Sequence, residues 1–90
     1  MRLDLFLKLS RLCPRRSMAQ DLCAAGLVLL NRQRAKSAHT VKAGDMISMR
    51  RADLEIVVRV LHVPETRSVS REAARQMIEI VSEKPTLPID

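Results

Sequence analysis

The sequence is almost without aromatic side chains: its 90 residues include one Phe and no Tyr or Trp. Proteins that read single-stranded nucleic acids by base stacking need exposed rings, so this composition argues against that mode of recognition. Phe6 belongs to an apolar stripe with helical spacing, which predicts that its side chain lies in the core. A nucleic-acid ligand would therefore be bound through its backbone and shape more than through its bases.

Cysteine is also scarce, and its spacing favours no metal site. Cys13 and Cys23 are ten residues apart with no CxxC pair, and His39 and His62 are remote from each other in the sequence. Zinc sites use closely spaced pairs of such ligands, so we expect no metal and no cofactor. The pattern indicates reduced cysteines that act as small apolar side chains in a cytoplasmic protein, with a disulfide as the alternative.

Long hydrophobic runs are missing as well. No apolar segment approaches the roughly 18–20 residues of a membrane span. Asp4, Lys8 and Arg11 interrupt the N-terminal apolar segment, which argues against a secretory signal. A mitochondrial transit peptide and a membrane-surface helix over residues 1–16 are the alternatives to a folded motif there. We expect a cytoplasmic protein with no membrane partner.

Acidic residues are few in the first half of the chain. Residues 1–42 hold nine basic residues and two acidic ones, whereas residues 43–90 hold seven basic and eight acidic residues. Twelve of the 16 basic residues are Arg, whose planar fork can donate two hydrogen bonds to one phosphate. A basic face of this kind predicts a polyanionic ligand.

The apolar periodicity predicts two helices at the start of the chain. The first covers residues 3–13 and ends because Pro14 cannot continue it. The second begins with a capping box formed by Ser17 and Gln20, and Gly26 ends it as a left-handed residue.

Arg15 and Arg16 precede the second helix, where free backbone amides favour an anion. A phosphate-binding site and a solvated turn both remain open for this junction.

The rest of the chain predicts a small sheet and a last helix. Strands are expected over residues 27–30, 46–50 and 54–63, and a helix from the N-cap Ser70 to about Ser82. Arg32, Arg34 and Lys36 alternate after the first strand and would share one face if extended. The order predicts an α+β fold: two N-terminal helices, then a small, mainly antiparallel β-sheet with a C-terminal helix.

The pattern RLDxFLKxSRLxxRRxxA, from Arg2 to Ala19, resembles the S-four RNA-binding domain, named for small-subunit ribosomal protein four. The resemblance continues through Gly26, Asn31 and Lys36 and covers residues 2 to about 60. The chain is most similar to stand-alone RqcP-like proteins of bacterial ribosome quality control. The ribosome-associated heat-shock protein of the same superfamily is similar but has a longer basic C-terminal extension. The length of the chain predicts a single domain, over residues 1–83, and Pro85 and Pro88 indicate a short flexible tail over residues 84–90.

The resemblance also implies the ligands and the residues that bind them. The partners would be the ribosome, large-subunit rRNA and peptidyl-tRNA on stalled or split large subunits, with the protein acting as a monomer. The family usually has Gly where this chain has Arg32, although Asn31 can itself adopt a left-handed turn. The expected RNA-binding residues are Arg2, Lys8, Arg11, Arg15, Arg16 and Lys36 at motif positions, with Arg32 and Arg34 as further basic residues nearby.

Two other functional classes, an enzyme and a DNA-binding protein, fit these residues less well. The same domain occurs in RNA-modifying enzymes, but no nucleophile–base pair or phosphate loop is readable here, so we expect no catalysis. A DNA-binding helix-turn-helix over residues 17–36 would need several base-reaching side chains, and the second helix offers only Gln20 and Asp21. General binding of structured RNA or DNA, without a ribosomal role, remains the alternative.

Overall fold

The computed structural model describes residues 1–85, which form three helices and five strands. The helices precede and interrupt one antiparallel sheet, so the predicted α+β class is confirmed. The elements are α1 (Leu3–Leu9), α2 (Arg16–Ala24), β1 (Val28–Leu30), β2 (Gln33–Arg34), β3 (Met46–Arg51), β4 (Leu54–Val60), α3 (Arg71–Arg75) and β5 (Ile78–Pro85).

The strands lie in the order β2-β1-β3-β4-β5, and each neighbouring pair is antiparallel. Asn31 and Arg32 connect β1 to β2 with φ angles of 52° and 71°, the two positive values that a type I′ hairpin turn requires. The Asn31 side chain accepts a hydrogen bond from the Met46 amide at 2.9 Å and donates one to Asp45 Oδ1 at 3.1 Å. The turn is therefore kept although Arg replaces Gly at its second position.

The core lies between α1 and the sheet. Leu3, Phe6 and Leu7 of α1 are fully buried, as are Ile47 on β3 and Val58 on β4. The predicted core position of Phe6 is confirmed. No helix in the part of the chain that the structure describes is long and apolar enough to cross a membrane.

The first helix is shorter than predicted. It ends at Leu9, and Arg11 takes a left-handed backbone conformation with φ 66°. The following residues, Leu12 and Cys13, are buried in the core, which requires the chain to turn back towards the sheet. Core packing therefore ends α1 four residues before the predicted boundary at residue 13, and Pro14 does not determine where it stops.

The predicted capping box of α2 is wrong. Arg15 is the N-cap and makes no side-chain capping bond, while Gln20 Nε2 donates to Asp4 Oδ2 at 2.9 Å. In the predicted box the Gln20 side chain would accept from a backbone amide, whereas here its Nε2 donates to a buried carboxylate. The helix also begins already at Arg16, so Ser17 is not its N-cap. The predicted left-handed end is confirmed: Gly26 has φ 76°, and the Leu27 amide donates to the Leu22 carbonyl at 2.9 Å, as in a Schellman motif.

The predicted C-terminal helix is largely a strand. Ser70 does cap a helix, since its Oγ accepts from the Ala73 amide at 3.1 Å, but this helix spans only Arg71–Arg75. The chain then forms β5 along the edge of β4. β-branched residues at 78, 80 and 81 favour that extended pairing. β5 continues through Pro85, two residues into the expected tail, and residues 86–90 lie outside the described residues.

Candidate nucleic-acid interface

The loop over residues 36–40 is fastened to the start of α1. The Leu3 amide donates to the His39 carbonyl at 2.8 Å, and the Asp4 amide donates to the Ser37 carbonyl at 3.1 Å. These bonds satisfy amides that the first turn of a helix leaves without partners. They also bring the loop over residues 36–40, which contains Lys36, beside Arg2, an expected RNA-binding residue.

Asp4 lies at the centre of a buried cluster. Its side chain is fully buried and accepts hydrogen bonds from the Leu5 amide at 2.7 Å and from Gln20 Nε2 at 2.9 Å. Arg2 contacts it through Nη2 at 3.1 Å and Nε at 3.2 Å, and Arg16 Nε lies 3.2 Å from Oδ2. Two residues expected to face RNA therefore also hold one buried carboxylate, which joins α1 to α2.

This cluster stabilises the ionised form of Asp4. Burial raises the pKa of Asp4, but hydrogen bonds from Gln20, Arg2 and the Leu5 amide, together with the adjacent Arg16 guanidinium, outweigh that effect and lower the pKa to about 2. Arg16 Nε is buried without a well-directed hydrogen bond, so its contact with Asp4 is an ion pair. The Arg2 and Arg16 side chains remain 49% and 39% exposed, so both can contact a ligand.

Two grooves lie between α1 and the connector formed by residues 61–69, which joins β4 to α3. The first groove is lined by Arg2 and Arg16 on one side and by residues 63–67 of the connector on the other. The second groove is lined by Lys8 and Arg11 together with residues 67–69. The described structure therefore brings four expected RNA-binding residues to neighbouring grooves.

Two further grooves extend this series towards α2. The third groove is lined by Lys8, Arg11 and Arg51, with Cys13 and Pro14 at its end. The fourth contains Pro14, Arg15 and the acid Asp21 beside the first turn of α2. Consecutive grooves share lining residues, so the four form one surface on which the cations outnumber the acids. We call this surface the basic track.

Arg11 and Arg51 are positioned by the turn that follows α1. The left-handed backbone of Arg11 turns its side chain towards the connector, where Nη2 lies 3.5 Å from the Val69 carbonyl oxygen. Arg51 Nη1 donates to the Leu12 carbonyl at 3.0 Å, which ties β3 to the same turn. The turn thus sets the orientation of the third groove.

Arg15 stands at the N-terminus of α2. It is the exposed N-cap residue, and no side chain in the described part of the chain caps the amides of this first turn. An exposed guanidinium beside uncapped helix amides can bind an anion. A phosphate site at this junction therefore stays a prediction.

The alternation of Arg32, Arg34 and Lys36 predicted one row of basic side chains if this segment were extended. The structure does not show such a row. Arg32 occupies the left-handed turn, and Arg34 packs its guanidinium over Gly26. A Cβ added at Gly26 would lie 2.5 Å from Arg34 Nη2, so the absence of a side chain makes this approach possible. Lys36 lies beyond β2, in the loop fastened to α1, with its carbonyl accepting from the His39 amide.

Sequence reasoning missed three residues: Asp4, which is buried beneath this surface, and Arg51 and Arg67, which line it. Asp4 had one available signal, since it is an acid within a strongly basic segment and next to the buried stripe of α1. Arg51 and Arg67 had none, because they follow the basic half of the chain and reach the track only through tertiary structure.

The cysteines do not contribute reactive thiols to the track. Cys13 and Cys23 are buried separate thiols, and burial raises the pKa of both. Cys13 Sγ lies 3.7 Å from Met49 Sδ, within the core. Among residues 1–85, no group of three or more His, Cys, Asp or Glu side chains could hold a metal ion.

Comparison with known proteins identifies relatives that span almost the whole chain. The S4 domain family matches residues 1–47. A protein of Halalkalibacterium halodurans named RQC P-site tRNA stabilizing factor is 39% identical over 85 residues, covering 94% of each chain. The protein of the same name from Helicobacter pylori is 39% identical over 72 residues, covering 80% of this chain and 86% of its own.

Solved structures show the same architecture. Heat Shock Protein 15 of Vibrio cholerae, solved as a trimer, superimposes with a TM-score of 0.82 at 28% identity, covering 91% of this chain and 82% of that one. The solution structure of the hypothetical protein HP1423 gives a TM-score of 0.79 at 35% identity, covering 91% and 98%. The resemblance read from the sequence is confirmed, and the chain belongs to the S4-domain family of RQC P-site tRNA stabilizing factors.

Proposed function

We propose that this protein is an RNA-binding, ribosome-associated factor of ribosome quality control. It binds large-subunit rRNA and peptidyl-tRNA on stalled or split large subunits and stabilises the tRNA in the P site. It acts in the cytoplasm, as a monomer and without catalysis. The relatives' shared name supports the tRNA and the ribosome as partners.

The observation that carries this proposal is the pairing of Arg2 and Arg16 across one buried carboxylate. Asp4 fixes both guanidiniums at the first groove while leaving each of them partly exposed. Two arginines that share one acid retain a net positive charge, and their orientation is fixed before any ligand arrives. Pre-organised donors of this kind bind phosphate with less loss of side-chain entropy.

The other expected residues add unpaired positive charge. Within residues 1–85, Lys8, Arg11, Arg15, Arg32, Arg34 and Lys36 form no salt bridge. If about five or six phosphates are neutralised, the logarithm of the association constant should fall with the logarithm of salt concentration with a slope of about −3.5 to −5.5. A flat salt dependence would contradict the proposal.

The first experiment is co-sedimentation of tagged protein from a bacterial lysate through a sucrose gradient at near-physiological salt, with tRNA probed in each fraction. We expect the protein in fractions of free large subunits that carry peptidyl-tRNA. Protein that stays at the top of the gradient would reject the ribosomal role. Direct binding assays would then test small RNAs and duplex DNA as ligands.

Matched double variants separate site binding from bulk charge. Arg11→Ala/Arg15→Ala removes two positive charges from the basic track, and Arg71→Ala/Arg75→Ala removes two from α3. We expect the first variant to weaken binding by roughly 100-fold, since a charged hydrogen bond contributes about 1.5 kcal/mol or more. The second should bind within about threefold of the unmodified protein, and equal weakening would show that only net charge matters.

A further inference from the structure

Arg67 lies outside the basic half of the sequence but at the junction of the first two grooves of the basic track. It belongs to the connector, between β4 and α3, and its side chain is exposed. Arg67 lines both the first and the second groove, and it is the residue that these two grooves have in common. Within residues 1–85 it forms no salt bridge.

The connector is held in place at both ends. The amides of Leu61 and His62 donate to the Met77 carbonyl at 2.8 and 3.3 Å, and Val63 and Val69 pack against the core. Thr66 Oγ1 donates to the Ser68 carbonyl at 3.0 Å, which forms a tight bend around Arg67. These contacts hold the backbone of Arg67 opposite α1.

The charges around Arg67 favour a polyanion. The first groove contains Arg2, Arg16 and Arg67 against one exposed acid, Glu65. The second groove contains three cations and no acid among its lining residues. Like charges placed so closely repel one another unless an anionic ligand lies between them.

We propose that Arg67 binds a phosphate group of the RNA and joins the first and second grooves into one path for a single stretch of RNA backbone. The connector then forms one wall of the interface and α1 forms the other. This inference rests on the proposed function, because it assigns a further contact to the same ligand. A guanidinium can donate two parallel hydrogen bonds to one phosphate, which suits a residue at the junction of two grooves.

The test compares three single variants that each remove one positive charge. Arg67→Ala removes the proposed contact, while Arg71→Ala and Arg75→Ala remove exposed arginines of α3. Binding is measured over a series of salt concentrations with bacterial large ribosomal subunits that carry P-site tRNA. We expect Arg67→Ala to raise the Kd roughly tenfold and to make the salt slope shallower by about 0.7–0.9, with both α3 variants within about twofold.

Two controls keep the outcomes distinct. Circular dichroism should show unchanged folding for Arg67→Ala, since its side chain is exposed. Arg67→Lys should restore the salt slope but only part of the affinity, because Lys keeps the charge without the fork. If the unmodified protein binds and Arg67→Ala behaves like the α3 variants, the role of Arg67 is overturned and the proposed function stands. If the unmodified protein does not bind, both are overturned.

Discussion

The sheet and the helical end of this molecule, formed by α1 and the start of α2, differ in how their arginines are paired with acids. On the sheet, Arg59 Nη1 donates to Glu79 Oε1 at 2.8 Å, and Glu55 lies directly across from Arg50 on one side and Lys84 on the other. Opposite charges that face each other across strands stabilise the pairing and neutralise each other. Most charged residues of β3, β4 and β5 therefore lie opposite a residue of opposite charge within the sheet, whereas Arg51 lines the third groove.

At the helical end, the cations outnumber the acids that could neutralise them. Arg2 and Arg16 share Asp4, and the basic track continues past Lys8 and Arg11 without a salt bridge among residues 1–85. The comparison shows that the number of arginines does not define a binding surface. What distinguishes the helical end is that Arg2 and Arg16 are held in place by one acid, while the neighbouring cations Lys8 and Arg11 form no salt bridge among residues 1–85.

The sharpest way to break this contrast is to remove the acid at the helical end. Asp4→Asn keeps the shape of the side chain but leaves Arg2 and Arg16 without a counter-charge in a partly buried site. We expect the free energy of unfolding to fall by about 2–4 kcal/mol, as for a broken buried ion pair. Urea denaturation measures this, and a loss below about 1 kcal/mol would show that Asp4 does not hold the two helices together.

Acid pH should remove the stabilising contribution of Asp4 without any substitution, because it protonates the carboxylate. The pKa of Asp4 is about 2 in the folded chain, below its ordinary value of 3.8, so its contribution is present above pH 3.8 and is lost as the pH falls towards 2. We expect this group to account for roughly 2 kcal/mol of that loss. Unfolding measured from pH 5 to pH 2 should show a shallower decline for Asp4→Asn, and parallel curves would contradict the assignment.

Gly26 marks the boundary between the two regions, and a side chain there should disturb both. Gly26→Ala places a Cβ at φ 76° and within 2.5 Å of Arg34 Nη2. We expect a loss of about 1–2 kcal/mol, part from the backbone and part from the displaced guanidinium. In a double-mutant cycle with Arg34→Ala, the second part should disappear, and strict additivity would show that the contact has no energetic effect.

The smallest effect is expected on the sheet. Glu79→Gln breaks the Arg59–Glu79 salt bridge, whose side chains are 49% and 53% exposed. We expect the unfolding free energy to change by no more than about 0.5 kcal/mol, because water and salt screen exposed pairs. Thermal denaturation of Glu79→Gln and Asp4→Asn under the same conditions compares the two losses of stability. Equal destabilisation by both variants would contradict the distinction between the two regions.

Local features of the sequence predicted much of the fold correctly. The apolar stripe of α1, the left-handed Gly26 and the N-cap Ser70 depend on residues within one or two turns of each other, and all three are present. The end of α1 and the cap of α2 were predicted wrongly because distant groups compete for them. Leu12 is buried in the core, and the side-chain amide of Gln20 donates a hydrogen bond to the carboxylate of Asp4.

The candidate site shows the same division. Arg11 and Arg15 were expected from the motif and lie on the basic track. Arg2 and Arg16 were expected as RNA contacts alone, and the structure gives them a second partner in Asp4. That partner could not be read from spacing, because it requires α1 and α2 to pack together first.

The sequence by itself determined the uneven charge, the order of helices and strands at the start of the chain and the membership in its family. Only the tertiary structure decided that residues 78–85 form a strand, since the apolar pattern fits a helix or a strand and the free edge of β4 selects the strand. It also decided that Arg67 lies beside α1, more than 50 residues earlier in the chain. Local periodicity records only near neighbours, whereas hydrogen bonds between strands and the packing of a connector join residues that the sequence keeps far apart.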